Sequence, residues 1–201
     1  HELRTPISAM LAGAAELTKG AHDSASRNQA ALIMDAGRMM KTLLDDILDL
    51  AKFEAGIQPV REEPVTLAEL ANEVIELHAA NAGRKGLDLR LDFGVELPTR
   101  VVTDPRMVRQ ILLNLVGNAV KFTARGGVTF KVECRREMAV FDIRDSGPGI
   151  PAADLERIFE PFERGSTAQA GGSGVGLTIA RMLTDLMGGE LSATGVPGQG
   201  S

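Results

Sequence analysis

Two groups of residues that could do chemistry lie more than a hundred positions apart. The first is His1-Glu2-Leu3-Arg4-Thr5-Pro6, at the head of an amphipathic stretch. Histidine is neutral over much of the physiological range, so one ring nitrogen can act as a nucleophile and accept a phosphoryl group. It attacks better when the other nitrogen gives its proton to a carboxylate, and Glu2 is the adjacent candidate. On a helix Thr5 lies one turn below His1, on the same side. Pro6 has no N–H and leaves the Glu2 carbonyl without its helical partner, which predicts a local bend.

The second group has three parts. Asn114 and Asn118 are four apart and stack on one helix face, with Lys121 one turn further. One amide oxygen together with phosphate oxygens is enough to anchor magnesium, a hard cation that keeps several waters. Asp145-Ser146-Gly147-Pro148-Gly149 ends an apolar strand. A buried carboxylate there can accept from an adenine amino group, while Gly147 and Gly149 allow close backbone approach. The run Gly171-Gly172-Ser173-Gly174-Val175-Gly176 leads directly into a helix, whose first amides can bind phosphate. A dinucleotide fingerprint would follow a strand, and here a polar loop precedes the glycines. The lysine and Ser/Thr ending of a P-loop is also missing. Taken singly, these features have plainer readings: a surface histidine, a polar helix stripe, an Asp-Gly turn. His22 and His78 have no such company and read as structural.

The elements that must position them can be read from periodicity. Leu3, Ile7, Met10, Ala14 and Leu17 form a heptad seam, broken at Gly20 to Asp23. Ala36, Met40, Leu43, Ile47 and Leu50 repeat the spacing in a helix predicted from near Ser26 to Glu54. This is an antiparallel hairpin. A two-helix hairpin buries little alone, so it either packs on its own second domain or doubles into a four-helix bundle by dimerisation. Pro59 and Pro64 mark a linker. Thr66-Leu-Ala-Glu69 reads as a capping box opening a helix to about Asn81. Alternation from Leu87 to Phe93 predicts a strand. Asp104-Pro105 is an N-cap with proline at the first helical position, starting a helix to about Phe122. Strands at Gly127 to Arg135 and Met138 to Asp145 read as a hairpin. Residues Gly165 to Ser173 read as a mobile loop. A helix from Gly176 to Met187 and a strand near Glu190 to Ala193 follow. Helices with mostly antiparallel strands predict an α+β sandwich, helices on one face.

The chain has 201 residues, enough for two small domains, and its 44% hydrophobic content can fill a core. A net charge of -5 and a pI near 5.3 argue against a general nucleic-acid surface. Cys134 is the single cysteine, so there is no internal disulfide and no cysteine-based zinc site, as fits a reducing compartment. No apolar run reaches the roughly 20 residues that span a bilayer, and no stretch of the given sequence reads as a signal peptide. His1 should lie inside a helix and the end at Gly198-Gln199-Gly200-Ser201 should lead into a closing strand, so the sequence reads as part of a longer protein.

HELRTP, QILLNLVGNAVKFT, DSGPGI, FEPFER and GGSGVGL occur in one order, and with them the chain resembles the sensor histidine kinase family of two-component signalling over almost its whole length. The resemblance implies a dimerisation and histidine-phosphotransfer domain at 1–56, a linker at 57–65 and an ATP-binding domain at 66–201. That second domain would be an ATPase sandwich of the kind shared with type II topoisomerases. It implies His1 as phosphoacceptor, Glu2 as acid–base partner, and Thr5 as the position that orients water for removing the phosphate. Asn118 becomes the magnesium ligand, with Asn114 in support and Lys121 facing phosphate. Asp145, Gly147 and Gly149 would hold adenine, and Gly172, Gly174 and Gly176 the phosphates. Phe159 and Phe162 would anchor the loop. Arg164 would reach the terminal phosphate, with a surface salt bridge as the other reading. The cofactors are then ATP and Mg2+, and the partners a second copy of the chain and a response-regulator receiver domain, in the cytoplasm. Two rivals remain. A topoisomerase-like or chaperone-like ATPase would carry a glutamate where Asn114 stands and would lack HELRTP. A catalytically silent dimeric scaffold would keep the fold without the transfer.

Overall fold

A computed structural model of the chain describes residues 59–201 apart from 96, 137, 162 and 164–173, together with 7, 10–15, 17, 26, 29–31, 33, 34, 37, 40, 41, 44, 47, 48 and 51. The chain divides into two units, His1–Ile57 and Gln58–Ser201.

In the first unit every described residue from 7 to 51 is helical, as the heptad spacing predicts. Ile7, Ala14 and Ala30 are buried. Gly37 sits against Leu11, so closely that a Cβ there would stand 2.9 Å from a Leu11 methyl. The two stretches therefore pack on each other. Met10, Leu17, Met40 and Ile47 stay exposed although they lie on the predicted seams. The apolar stripe is wider than the hairpin alone covers.

The second unit is a two-layer sandwich. Strand β1 (Glu63–Val65) pairs antiparallel with β3 (Val101–Thr103). Residues 63–65 fall inside the expected linker, and it is pairing with this distant partner that makes them a strand. Strand β2 (Asp88–Phe93) runs parallel to β4 (Gly127–Arg135), which pairs antiparallel with β5 (Met138–Asp145) in the register Val128 opposite Asp145. Period-two alternation sends Val128, Phe130 and Val132 into the core. Charged side chains cover the other face, among them the ion pairs Lys131–Glu133 and Arg144–Asp142.

Two helices lie on the apolar face, α1 (Leu67–Lys85) and α2 (Pro105–Phe122). Leu70, Ala71 and Val74 of α1 meet Leu112, Val116 and Val120 of α2 in one core cluster with the sheet. A third helix, α3 (Gly176–Leu186), packs on α2, and its Ile179, Ala180 and Leu183 are buried. Between β5 and α3 lie two 3-10 turns, Ala152–Asp154 and Arg157–Phe159. Phe159 is buried, with the Arg181 guanidinium 5.0 Å from its ring centre. Phe162 lies outside the described residues.

Three local expectations are corrected. Thr66 precedes α1 but its side chain makes no capping hydrogen bond, so the Thr66–Glu69 box does not form. The helix also runs past Asn81 to Lys85, where Gly86 at φ 66 closes it. Residues 190–193 form no strand. The tail instead closes on itself, with Val196 bridging Gly200, and Asp145 at the end of β5 exchanges backbone hydrogen bonds with Ser201.

The start of α2 carries the most heavily bonded carboxylate described. Asp104 is fully buried. It accepts from the amides of Arg106, Met107 and Arg61, and from the Arg106 guanidinium. Burial pushes this carboxyl up, but the Arg106 side chain and the three amides outweigh burial and hold it at about 2, against an ordinary 3.8. Its stabilisation is therefore complete above the unfolded value and is lost as pH falls from about 4 through about 2. The expected loss is about 2 kcal/mol. Urea midpoints for the natural chain and for Asp104→Asn should converge across that window. Parallel curves would show that the carboxylate contributes no pH-dependent stability.

Candidate functional site

Helix α2 is the common wall of the second residue group. Its amphipathic spacing buries Leu112, Val116, Ala119 and Val120 and leaves Asn114, Asn118 and Lys121 half-buried on another side. The Asn114 amide donates to the Gly176 carbonyl at 3.0 Å, tying α2 to the first residue of α3. A Cβ on Gly176 would stand 3.5 Å from the Asn114 side-chain oxygen, an ordinary contact. The Asn118 side chain makes no hydrogen bond to another described residue, so its amide oxygen remains open. The Lys121 ammonium lies 4.8 Å from the centre of the Phe122 ring.

The other end of α2 abuts the Asp145 turn. A Cβ on Gly147 would stand 2.6 Å from Asp145 Oδ1, and 3.4 Å from both the Phe122 carbonyl oxygen and Thr123 Oγ1. A side chain at 147 would therefore push the Asp145 carboxylate out of its present position. Asp145 is half-buried rather than buried; it ends β5, an edge strand of its sheet. Oδ1 accepts from the Gly147 amide at 2.7 Å and Oδ2 from the Ser201 hydroxyl at 2.6 Å. A carboxylate has about four lone-pair positions, so each oxygen can take a further donor. Gly149 is buried with φ 72, and a Cβ there would fall 2.0 Å from the Val196 carbonyl oxygen.

The structure thus brings Asn114, Asn118, Lys121, Asp145, Gly147 and Gly176 on or beside one helix, while Gly149 packs on the C-terminal tail. Gly174 stands two residues before α3, also with φ 72. His1, Glu2, Thr5, Arg164 and Gly172 lie outside the described residues. The donor set fits a magnesium ion held mostly by oxygens that the protein does not supply. Among the described residues no group of three or more His, Cys, Asp or Glu could hold a metal. An ion here would need the open Asn118 oxygen plus phosphate oxygens, which suits magnesium.

Two contributors escape a reading of the sequence. Ser201 holds the Asp145 carboxylate; a hydroxyl directly after the last glycine pair is the available signal. Lys85 binds the end of α2 and carries no local signal at all. His78, structural by its sequence context, packs against Gly117 of α2, where a Cβ would meet its ring at 3.2 Å. Burial pushes its pKa down, and Nε2 has no partner among the described residues. Among the described residues no helix is long and apolar enough to cross a membrane.

Comparison with known proteins follows the same division. Residues 103–201 match the family model of the histidine kinase-, DNA gyrase B-, and HSP90-like ATPase. Residues 1–56 match that of the His Kinase A (phospho-acceptor) domain. The sensor protein TorS of Escherichia coli (strain K12) is 36% identical over 203 residues, covering 100% of this chain and 22% of TorS. The virulence sensor protein BvgS of Bordetella bronchiseptica is 38% identical over 214 residues, covering 100% of this chain and 17% of BvgS. The chain spans about a fifth of the length of these relatives. Full-length ShkA, crystallised in complex with AMPPNP, superposes with a TM-score of 0.82 at 34% identity, over 100% of this chain and 42% of that one. A phospho-acceptor domain followed by this ATPase domain, with full-length coverage by such relatives, places the chain in the sensor histidine kinase family, as its catalytic core.

Proposed function

We propose that the chain moves the terminal phosphoryl group of ATP to His1 and then to an aspartate on a response-regulator receiver domain. The observation that supports this most is the grouping on α2. One helix joins Asn114 to the head of α3 and the Asp145–Gly147 turn to its own C-terminus. Adenine and phosphate determinants are thereby held in one frame. Phosphoryl transfer asks the protein mainly for positioning and charge neutralisation.

In this reading Asp145 accepts from the adenine amino group, with Ser201 and the Gly147 amide fixing the carboxylate. The backbone at Gly172, Gly174 and Gly176 faces the phosphates, and Lys121 and Arg164 meet their charge. A magnesium ion held at Asn118 would neutralise phosphate charge. Glu2 takes the proton from one His1 nitrogen while the other attacks, and Thr5 orients water when the phosphohistidine or its regulator is dephosphorylated. The domains are 1–56 for dimerisation and transfer and 66–201 for nucleotide, in a cytoplasmic, reducing setting. The exposed Met10, Leu17, Met40 and Ile47 favour a homodimer, since a second hairpin would cover them. The helical face below His1 is the docking surface for the regulator.

The test is intact-mass measurement of the chain after incubation with Mg-ATP. It should gain one phosphoryl group that is stable in base and labile in acid, and lose it on addition of a cognate receiver domain. Light scattering of the same preparation should give twice the chain mass. An unmodified, ATP-binding chain would favour the silent scaffold instead.

A further inference from the structure

The last turn of α2 is held from outside by one side chain. The Lys85 ammonium donates to the carbonyl oxygens of Val120 at 2.8 Å, Lys121 at 2.6 Å and Thr123 at 3.2 Å. The final carbonyls of a helix have no partner within it, and positive charge there also complements the helix dipole. The Ala119 carbonyl is satisfied separately, by the Thr123 amide at 3.1 Å and its hydroxyl at 2.7 Å. Three donors converging from one atom are a property of an ammonium; a planar guanidinium cannot match them. Lys85 is the last residue of α1, and Gly86 at φ 66 turns the chain away directly after it. The ammonium is therefore delivered from a fixed helix end.

Both halves of the nucleotide site touch this turn. Lys121 belongs to it, and Asn118 lies one turn earlier. Its Phe122 carbonyl and its neighbour Thr123, which is fully buried, flank Gly147, each 3.4 Å from where a Cβ would stand. Gly147 in turn donates to Asp145. Lys85 bonds to the Thr123 carbonyl, the Thr123 side chain borders the space beside Gly147, and the Gly147 amide bonds to the carboxylate.

We propose that Lys85 is a positioning residue for nucleotide binding: its ammonium sets the last turn of α2, and through it the Asp145 turn. This rests on the kinase reading and goes beyond it, since Lys85 is assigned no contact with nucleotide. Calorimetry on the whole chain, at a temperature where each variant is folded, tests it. Lys85→Met should bind both Mg-ATP and magnesium-free ADP about tenfold more weakly, within the usual range of coupling between linked sites. Lys85→Arg keeps the charge but not the convergence of donors, so it should also be weakened, and it carries the test if Lys85→Met does not fold. A purely structural lysine would lower the melting temperature of folded variants and leave both affinities unchanged, which would overturn the proposal. A loss confined to Mg-ATP would overturn the link to the Asp145 turn. Failure of the unsubstituted chain to bind Mg-ATP would overturn the kinase reading itself, and this inference with it.

Discussion

His1→Gln is expected to abolish phosphorylation of the chain and leave Mg-ATP binding unchanged. Glutamine keeps a polar side chain of similar reach but has no ring nitrogen that can take a phosphoryl group. No residue of the nucleotide group lies in the first unit, so the acceptor and the pocket should separate cleanly. Asn118→Ala should do the opposite at the first step. Its amide oxygen is an open hard donor on α2, so triphosphate binding with magnesium should fall by about 2 kcal/mol, or roughly thirtyfold, and phosphorylation should fall with it. ADP without magnesium should bind Asn118→Ala nearly as well as the natural chain, because the base contacts are elsewhere. The rival readings forecast otherwise. A silent scaffold shows no phosphohistidine in any variant. An ATPase that activates water would still release phosphate from His1→Gln at the natural rate. Phosphohistidine detection and calorimetry on both folded variants decide among the three, and normal Mg-ATP binding by Asn118→Ala would remove the magnesium assignment.

What could be read from sequence was whatever has a local physical cause. Helix α2 is bounded where Asp104-Pro105 and the apolar spacing put it, because the cap and the proline act within one turn. Strands β4 and β5 are where alternation puts them, because their pairing is a hairpin between neighbours. Failures cluster where the partner is far along the chain. Strand β1 is three residues whose pairing partner is β3, about forty positions later. Lys85 and Ser201 bond to residues up to 38 and 56 positions away, and nothing beside them announces it. The Thr66 box failed for a different reason: a Ser/Thr and a Glu at the right spacing permit the reciprocal bonds without requiring them. The chemistry proposed for Asn118 and Gly147 was read from residue type and spacing. Their support was legible only in three dimensions.

Gly149→Ala should be among the most damaging single-methyl changes in the second unit, and a paired substitution shows why. Two costs act at 149. Its φ of 72 lies in the left-handed region, where an L side chain costs about 1–2 kcal/mol. The new Cβ would also fall 2.0 Å from the Val196 carbonyl oxygen and 3.0 Å from that of Gly200, both backbone atoms that cannot rotate aside. Gly198 isolates the first cost. Its φ of 78 is similar, yet nothing lies within 4 Å of the position a Cβ would take. Gly198→Ala should therefore lose only about 1–2 kcal/mol. Gly149→Ala should lose about 3 kcal/mol or more, since overpacking against fixed backbone adds to the strain. The excess has a functional direction. Relief of the clash must move residues 196–200, and Ser201 at their end holds the Asp145 carboxylate at 2.6 Å. Adenine nucleotides should then bind Gly149→Ala more weakly than Gly198→Ala even where both are folded. Urea unfolding and ADP calorimetry on the pair measure the two effects separately. Equal stability losses would show that the tail yields freely, and the close approach to Val196 would then not be what requires glycine at 149.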